Sequence, residues 1–370
     1  MIRWLLITII ALGSIAIGVG IWLFQKDSPE YVIQFIKGKA ANQDVALSIH
    51  YNGHSWIEVN EYEPLPLAST VKMIVAIEYA KQAADGRINP EQKVSLEELD
   101  HFYIPKTDGG AHAAWLADIN AKDDVPLSEV ANGMIAYSSN ANTEYLMQVL
   151  GLESINAVPK SLELSHHEPL YPIVSALYIS VQLMNEKGLT KKEVVNELKN
   201  MDMDEYRNRA IAIHENWLHQ PLTKQEKQQL LKVVDMDLQK IWSDRLPRAT
   251  TSDYVTIMQK LNSKAYFSET IHHYLDPVME QLMQNPSNRE WLMHAGQKGG
   301  STAFVLTNAM YATDQDGNQT EFAFFSNDLS LIEQKKLSRN LNSFKLKFLT
   351  DETFRTQVKE ELLHLGRERN

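Results

Sequence analysis

Twenty-one consecutive residues near the amino terminus, Trp4 to Phe24, carry no charged side chain. A helix rises about 1.5 Å per residue, so such a run reaches roughly 30 Å, the thickness of a bilayer's hydrocarbon core. Arg3 precedes the run, and Gln25-Lys26-Asp27-Ser28-Pro29-Glu30 comes after it with one more acid than base. This charge bias favours an inside amino terminus. The pattern therefore predicts residues 1–30 as a single-pass membrane anchor with its linker. Residues 31–370 are expected to form one domain on the outer side of a cell membrane. A cleaved secretory signal fits less well, because its apolar core runs to about 7–15 residues and no small-x-small cleavage site precedes Gln25.

The rest of the chain has no second apolar run of that length, no repeat and no low-complexity tract. With 44% hydrophobic and 22% charged residues, it has the composition of a globular protein. Lys plus Arg is 36 and Asp plus Glu is 47, a formal charge of −11 with no polybasic block. That argues against nucleic acid as a partner, since phosphates are neutralised by clustered cations. The absence of cysteine excludes thiol catalysis, Cys-ligated zinc, iron–sulfur clusters, disulfides and a lipidated amino-terminal Cys.

Val45–His50 and Trp56–Val59 flank Asn52-Gly53, a dipeptide suited to the positive φ of a tight turn, so two antiparallel strands are expected. Residues 70–84 are apolar nearly all round and stop at Asp85-Gly86, which predicts a mostly buried helix. From about Asn132 to Met283 the chain reads as helices, with Lys191–Asp244 as a solvated helical stretch and His214–His219 as helical surface. Two strands come next, Thr302–Thr313 and Thr320–Ser326, separated by the turn residues Asp314-Gln315-Asp316-Gly317-Asn318. Leu331–Leu365 is helical, broken near Leu349-Thr350-Asp351. Strands, helices, strands and a final helix make an α+β fold, in which terminal strands form an antiparallel sheet around a helical middle region.

The chemistry begins at Ala68-Ser69-Thr70-Val71-Lys72. If Ser69 opens a helix, Lys72 lies one turn up the same face and its amine reaches the serine oxygen. Such a lysine acts as a base only when burial or a nearby cation lowers its pKa. The helix start adds unpaired N–H groups beside the hydroxyl. Alone, Ser-x-x-Lys is common. Here it is joined by Tyr137-Ser138-Ser139-Asn140 on a turn before a helical run, and by Gln297-Lys298-Gly299-Gly300-Ser301 leading into a strand. The three motifs, in this order, resemble those of the class A β-lactamases and penicillin-binding proteins.

The resemblance extends from about Asp44 to the carboxyl terminus, and it implies a role for each motif residue. Ser69 is the acyl-accepting nucleophile and Lys72 its proton partner. Ser138 relays a proton to the leaving nitrogen, and Asn140 holds the Lys72 amine and the substrate amide. Lys298 presents positive potential to a substrate carboxylate and to Ser138, Gly299 and Gly300 form the substrate edge, and the Ser69 and Ser301 amides make an oxyanion hole. No cofactor and no metal are implied. The substrate is a small molecule, a β-lactam or related amide; the alternatives are a D-alanyl cell-wall fragment cut by a peptidase or esterase, and a noncatalytic penicillin-binding sensor.

Three departures stand out. Ser139 replaces the usual Asp of the second motif, and Gly299 replaces a Thr or Ser whose hydroxyl binds the substrate carboxylate, with Ser301 or Thr302 as substitutes. The third lies in His166-His167-Glu168-Pro169-Leu170-Tyr171-Pro172, which resembles the loop that activates the deacylating water. Glu168 is the candidate base, and Pro172 stands where an Asn is expected. Metal readings of His166-His167 and His272-His273 fail, because adjacent residues do not share a helix face. His214 and His219 are five apart rather than four, and Gly109-Gly110 lacks the Lys of a phosphate loop. Tyr103-Ile104-Pro105 is either a wall of the site mouth or a structural segment.

Overall fold

Asn52 and Gly53 take φ values of 51° and 74°, and the hairpin they turn joins β1 (Val45–Tyr51) to β2 (His54–Val59). The computed structural model describes residues 28–120 and 123–365. The expected anchor at Trp4–Phe24 lies outside the described residues, among which no helix is long and apolar enough to cross a membrane. The short strands β3 (Leu65–Pro66) and β6 (Arg248–Ala249) pair with each other, as do β4 (Lys93–Ser95) and β5 (Asp124–Pro126). The main sheet adds β7 (Leu292–Ser301), β8 (Leu306–Asp314) and β9 (Gln319–Ser326), in the antiparallel order β2-β1-β9-β8-β7.

One expected boundary is corrected. Residues 292–301, including the Lys298 motif, form a strand in their own right, whereas the sequence pattern places strand only from Thr302. Met293, His294, Gln297 and three glycines carry little β propensity, so this edge strand is held by its ladder with β8. The turn then falls at 302–305, where Thr302 Oγ1 accepts from the Phe304 and Val305 amides at 3.1 Å each.

The sheet is buried on both faces, which its strands show by alternation. Val45, Leu47, Ile49, Phe322 and Phe324 pack against the first helix, Pro29–Lys39, and against the two last, Leu331–Thr350 and Glu352–Leu362. Ala46, Ala323 and Phe325 face the other way, onto a core of the helices Lys72–Ala84 and Thr251–Asn262. Asp351 caps the last helix by accepting from the Phe354 amide, at the break the sequence marks.

A second core belongs to the charged middle stretch. The helices Lys191–Asn200, Met203–His219, Lys224–Val233 and Met236–Asp244 close around Tyr206, Trp217, Leu230 and Leu238. His214 is buried rather than superficial, because its helix turns that face inward. Its Nδ1 lies 3.4 Å from the buried Glu144 carboxylate. The same carboxylate accepts from the Val174 amide at 2.6 Å, the Ser175 amide at 3.0 Å and the Ser175 hydroxyl at 2.6 Å. Glu144 thus ties the segment leading into these helices to the helix Asn140–Leu150.

Replacing Glu144 with Ala leaves two amides and a hydroxyl without an acceptor in the interior. Because such donors lose their only compensation, the substitution should cost roughly 3–5 kcal/mol in chemical denaturation; a loss below about 1 kcal/mol would show that other contacts hold this segment.

Candidate active site

Ser69 sits in a single 3-10 turn, Ala68–Val71, immediately before the α-helix that begins at Lys72. Ala68 takes φ 45°, a left-handed conformation costly for a residue with a Cβ. The turn is pinned on both sides. Leu67 N–H donates to the Pro247 carbonyl at 3.0 Å, and Thr307 Oγ1 donates to the Leu67 carbonyl at 2.7 Å while accepting from Thr70 Oγ1 at 2.7 Å.

The strand β7 approaches this turn at Gly300. A methyl group there would lie 2.4 Å from the Ser69 nitrogen and 2.8 Å from the Leu67 oxygen, so only glycine allows this proximity. The end of β7 therefore packs directly against the Ser69 backbone, and an oxyanion hole built from the Ser69 amide and this strand would depend on that contact.

Lys72 is fully buried, and its ammonium is caged. It donates to the Ser138 carbonyl at 2.7 Å, the Ser138 hydroxyl at 3.2 Å, the Ser139 carbonyl at 3.4 Å and Asn140 Oδ1 at 2.8 Å. Ser138 reaches it from a turn with φ 70°, between the helices Leu127–Ala136 and Asn140–Leu150. Burial drives the Lys72 pKa well down, the like charge of Lys298 pushes the same way, and Asp108 and Glu144 partly oppose them.

Ser139, the residue that departs from the usual second motif, is a structural cap. Its hydroxyl accepts from the Asn142 amide at 3.2 Å, pairs with Asn142 Oδ1 at 2.9 Å and lies 2.9 Å from His112 Nδ1. It is wholly buried and points away from the cleft lining.

A cleft of about 520 Å³ collects Ser69, Ser138, Asn140, Gly299, Gly300 and Ser301. Lys298 lies just behind it, buried, with Nζ donating to the Gly299 carbonyl at 2.9 Å. Burial lowers its pKa to about 7.

Glu168 is not brought to this group. Its carboxylate faces Arg207 at 3.5 Å and accepts from the Arg248 amide at 3.3 Å, and its own amide donates to the Arg248 carbonyl at 2.9 Å. The segment containing Glu168 is bound to β6 instead, and from its continuation Ile173 lines the cleft. Tyr103 packs on the His112 ring, 4.6 Å between centroids, outside the lining.

Other lining residues have no local signal in the sequence. Asp108 lines the cleft, but its oxygens accept from the Gly110 and His112 amides at 3.1 and 3.0 Å. Gln239 and Trp242 come from the middle helices, and Asn308 and Lys345 from β8 and the helix Leu331–Thr350. Their separation from the three motifs hides them. Among the described residues no group of His, Cys, Asp and Glu is arranged to hold a metal ion.

The family model of the β-lactamase enzyme family matches residues 32–296, and the chain belongs to that family. Its fold is shared with a class A β-lactamase from Bacteroides cellulosilyticus at a TM-score of 0.50 and 14% identity, covering 92% of this chain and 99% of that one. A β-lactamase from Chitinophaga pinensis is similar at a TM-score of 0.50 and 13% identity, over 85% of this chain and 96% of that one. No curated protein matches the chain.

The Gly300 contact is directly testable. Gly300→Ala forces β7 away from Ser69, so labelling by an uncharged fluorophosphonate should slow by about 100-fold or more, as on loss of an oxyanion donor. The overpacking should also lower stability by about 1–3 kcal/mol. Unchanged labelling kinetics would mean that the Ser69 amide does not face the reacting oxygen.

Proposed function

We propose that this protein is a serine acyl-transfer enzyme of the extracytoplasmic face, tethered by its amino-terminal segment and acylated on Ser69 by a β-lactam or a related amide. The observation that carries the reading is the caged, buried Lys72 one turn from Ser69. Burial and the like charge of Lys298 lower its pKa, which shifts Lys72 toward the neutral amine, the form that accepts a proton.

Ser69 Oγ attacks the carbonyl carbon while its proton passes to Lys72 Nζ, and the negative oxygen is received by the Ser69 and Ser301 amides. A proton returns through the Ser138 hydroxyl to the departing nitrogen as the C–N bond breaks, leaving an ester on Ser69. Asn140 keeps the Lys72 amine in register throughout.

The second half of the cycle is what separates the candidate activities. Hydrolysis by a water-activating carboxylate requires that carboxylate within reach of the ester, directly or through one water. Glu168 is engaged with Arg207 and Arg248, and Asp108 is held by two amides. These engagements favour a slowly hydrolysed acyl-enzyme, and with it a peptidase, esterase or sensor of cell-wall fragments over a fast β-lactamase.

Intact-protein mass followed over time with a penicillin should show a persistent adduct on wild type and none on Ser69→Ala; an adduct on Ser69→Ala would reject the nucleophile. In the same assay Glu168→Gln should leave deacylation within about threefold of wild type, whereas loss of a true general base slows it about 100- to 10,000-fold.

The pH dependence is set by the direction of the Lys72 shift. Acylation by an uncharged probe should rise as Lys72 deprotonates, with its acidic limb below the ordinary lysine range. Lys298→Met removes a like charge that disfavours the Lys72 ammonium, so the Lys72 pKa rises and the limb should move to higher pH. A limb that stays in place would separate the two lysines.

A further inference from the structure

Asp108 is the one carboxylate among the residues that line the cleft, and the chemistry assigned to Ser69 gives it no task. Other acids around the site are matched to cations. Asp100 is paired with Lys227 at 3.1 Å, and Glu168 faces Arg207 at 3.5 Å. Among the described residues no Lys, Arg or His forms an ion pair with Asp108.

The loop holds this carboxylate still. Oδ1 accepts from the Gly110 amide at 3.1 Å and Oδ2 from the His112 amide at 3.0 Å, in a turn that φ values of 66° and 91° at Gly109 and Gly110 make possible. His112 is buried, and its Nδ1 lies 2.9 Å from Ser139 Oγ, which joins the loop to the second motif. Asp108 is thereby set beside the turn that carries Ser138 and Asn140, near enough for its charge to act on Lys72. Capping the helix Ala111–Ile119 accounts for the two amide bonds but not for what they leave over. An ionised carboxylate has about four acceptor sites, so roughly two stay open on a group that lines the cleft. Gly109 lines it too, and nothing lies within 4 Å of a Cβ built there, so no side chain from that position covers the approach.

A fixed carboxylate without a counter-charge gains most from a donor that is itself charged, at little further cost in ordering. The acylation geometry says which part of a substrate meets it. The carbonyl oxygen goes to the Ser69 and Ser301 amides and the leaving nitrogen to Ser138, while Asn140 holds the amide on the acyl side. Asp108, tied through His112 to the turn of Asn140, is placed for the group attached next to that amide.

We propose that Asp108 receives a primary ammonium carried on the acyl side of the substrate, so that this site prefers amino-bearing acyl donors. The inference rests on the Ser69 reading of the cleft and adds to it a class of substrate.

Benzylpenicillin and ampicillin differ by one amino group on the acyl side chain and share everything else. The ratio of ampicillin to benzylpenicillin acylation rates should exceed one in the wild type and fall about 5- to 50-fold in Asp108→Asn, somewhat below the full range of a hydrogen bond to a charged group because Asp108 is partly exposed. A second measurement needs no variant. In the wild type the ratio should also fall as pH is raised through the titration of the ampicillin amine, since changes at Lys72 and Lys298 are common to both probes and cancel.

Equal slowing of the two probes in Asp108→Asn would mean that the carboxylate acts only through Lys72 or the loop, and it overturns the proposal. An unchanged ratio in that variant, or a ratio that stays flat with pH, does the same. The proposal also falls, with the nucleophile intact, if neither penicillin acylates the wild type or protects it from the fluorophosphonate. Failure of the fluorophosphonate to label wild type, or full labelling of Ser69→Ala, instead rejects the Ser69 reading itself.

Discussion

A lysine ammonium buried without water is costly by several kcal/mol unless oxygens replace its hydration. In this protein those oxygens come from Ser138, Ser139 and Asn140, far along the chain, and the Lys72 cage joins the start of the helix Lys72–Ala84 to the turn before the helix Asn140–Leu150. The cage explains why Ser138 holds a positive φ, since its carbonyl and hydroxyl must both reach one nitrogen. It also explains why the buried Ser139 serves as a cap: the turn has to be rigid for the cage to keep its geometry. Structure and candidate chemistry share this one interaction, because the burial that endangers the charge also lowers the pKa of the amine and so favours the neutral form that can take a proton.

The sheet places the other half of the site. Its first two strands come from the amino-terminal part and its last three from the carboxyl-terminal part, so closing β1 onto β9 brings distant segments together. Thr307 on β8 is bonded to Leu67 beside the serine, and Gly300 on β7 lets the strand sit against the Ser69 amide. The edge position of β7 leaves its outer backbone open toward the cleft, while the helices Pro29–Lys39, Leu331–Thr350 and Glu352–Leu362 cover the sheet face that would otherwise be exposed.

The middle helices supply part of the cleft wall. They come after a segment fixed by Glu144 and bring Gln239 and Trp242 to the cleft wall, with the Trp242 indole donating to the Ile173 carbonyl at 2.7 Å. Glu168, near the start of that segment, is drawn to Arg207 on one of these helices and to the backbone of Arg248. The wall facing Ser69 is accordingly shaped by an isoleucine and an indole, and the carboxylate stands outside it.

Local signals determined a good deal. Asn52-Gly53 set the first hairpin, the apolar residues 70–84 set the buried helix, and the spacings Ser69-x-x-Lys72, Ser138-x-Asn140 and Lys298-Gly299-Gly300 marked residues that lie together around one cleft. These are short-range properties, written in turn chemistry and in helical periodicity. Only the tertiary structure decided that residues 292–301 are a strand, because their glycines carry no propensity and the ladder with β8 holds them. It also decided that Glu168 turns away and that Asn308 and Lys345 turn in. Those positions depend on long-range pairing, the group of helices in the middle of the chain and the packing of the helix Leu331–Thr350, none of which leaves a local pattern. A short motif specifies which atoms are available for chemistry, but the solvation and partners of a buried charge are set by whatever the folded chain brings beside it.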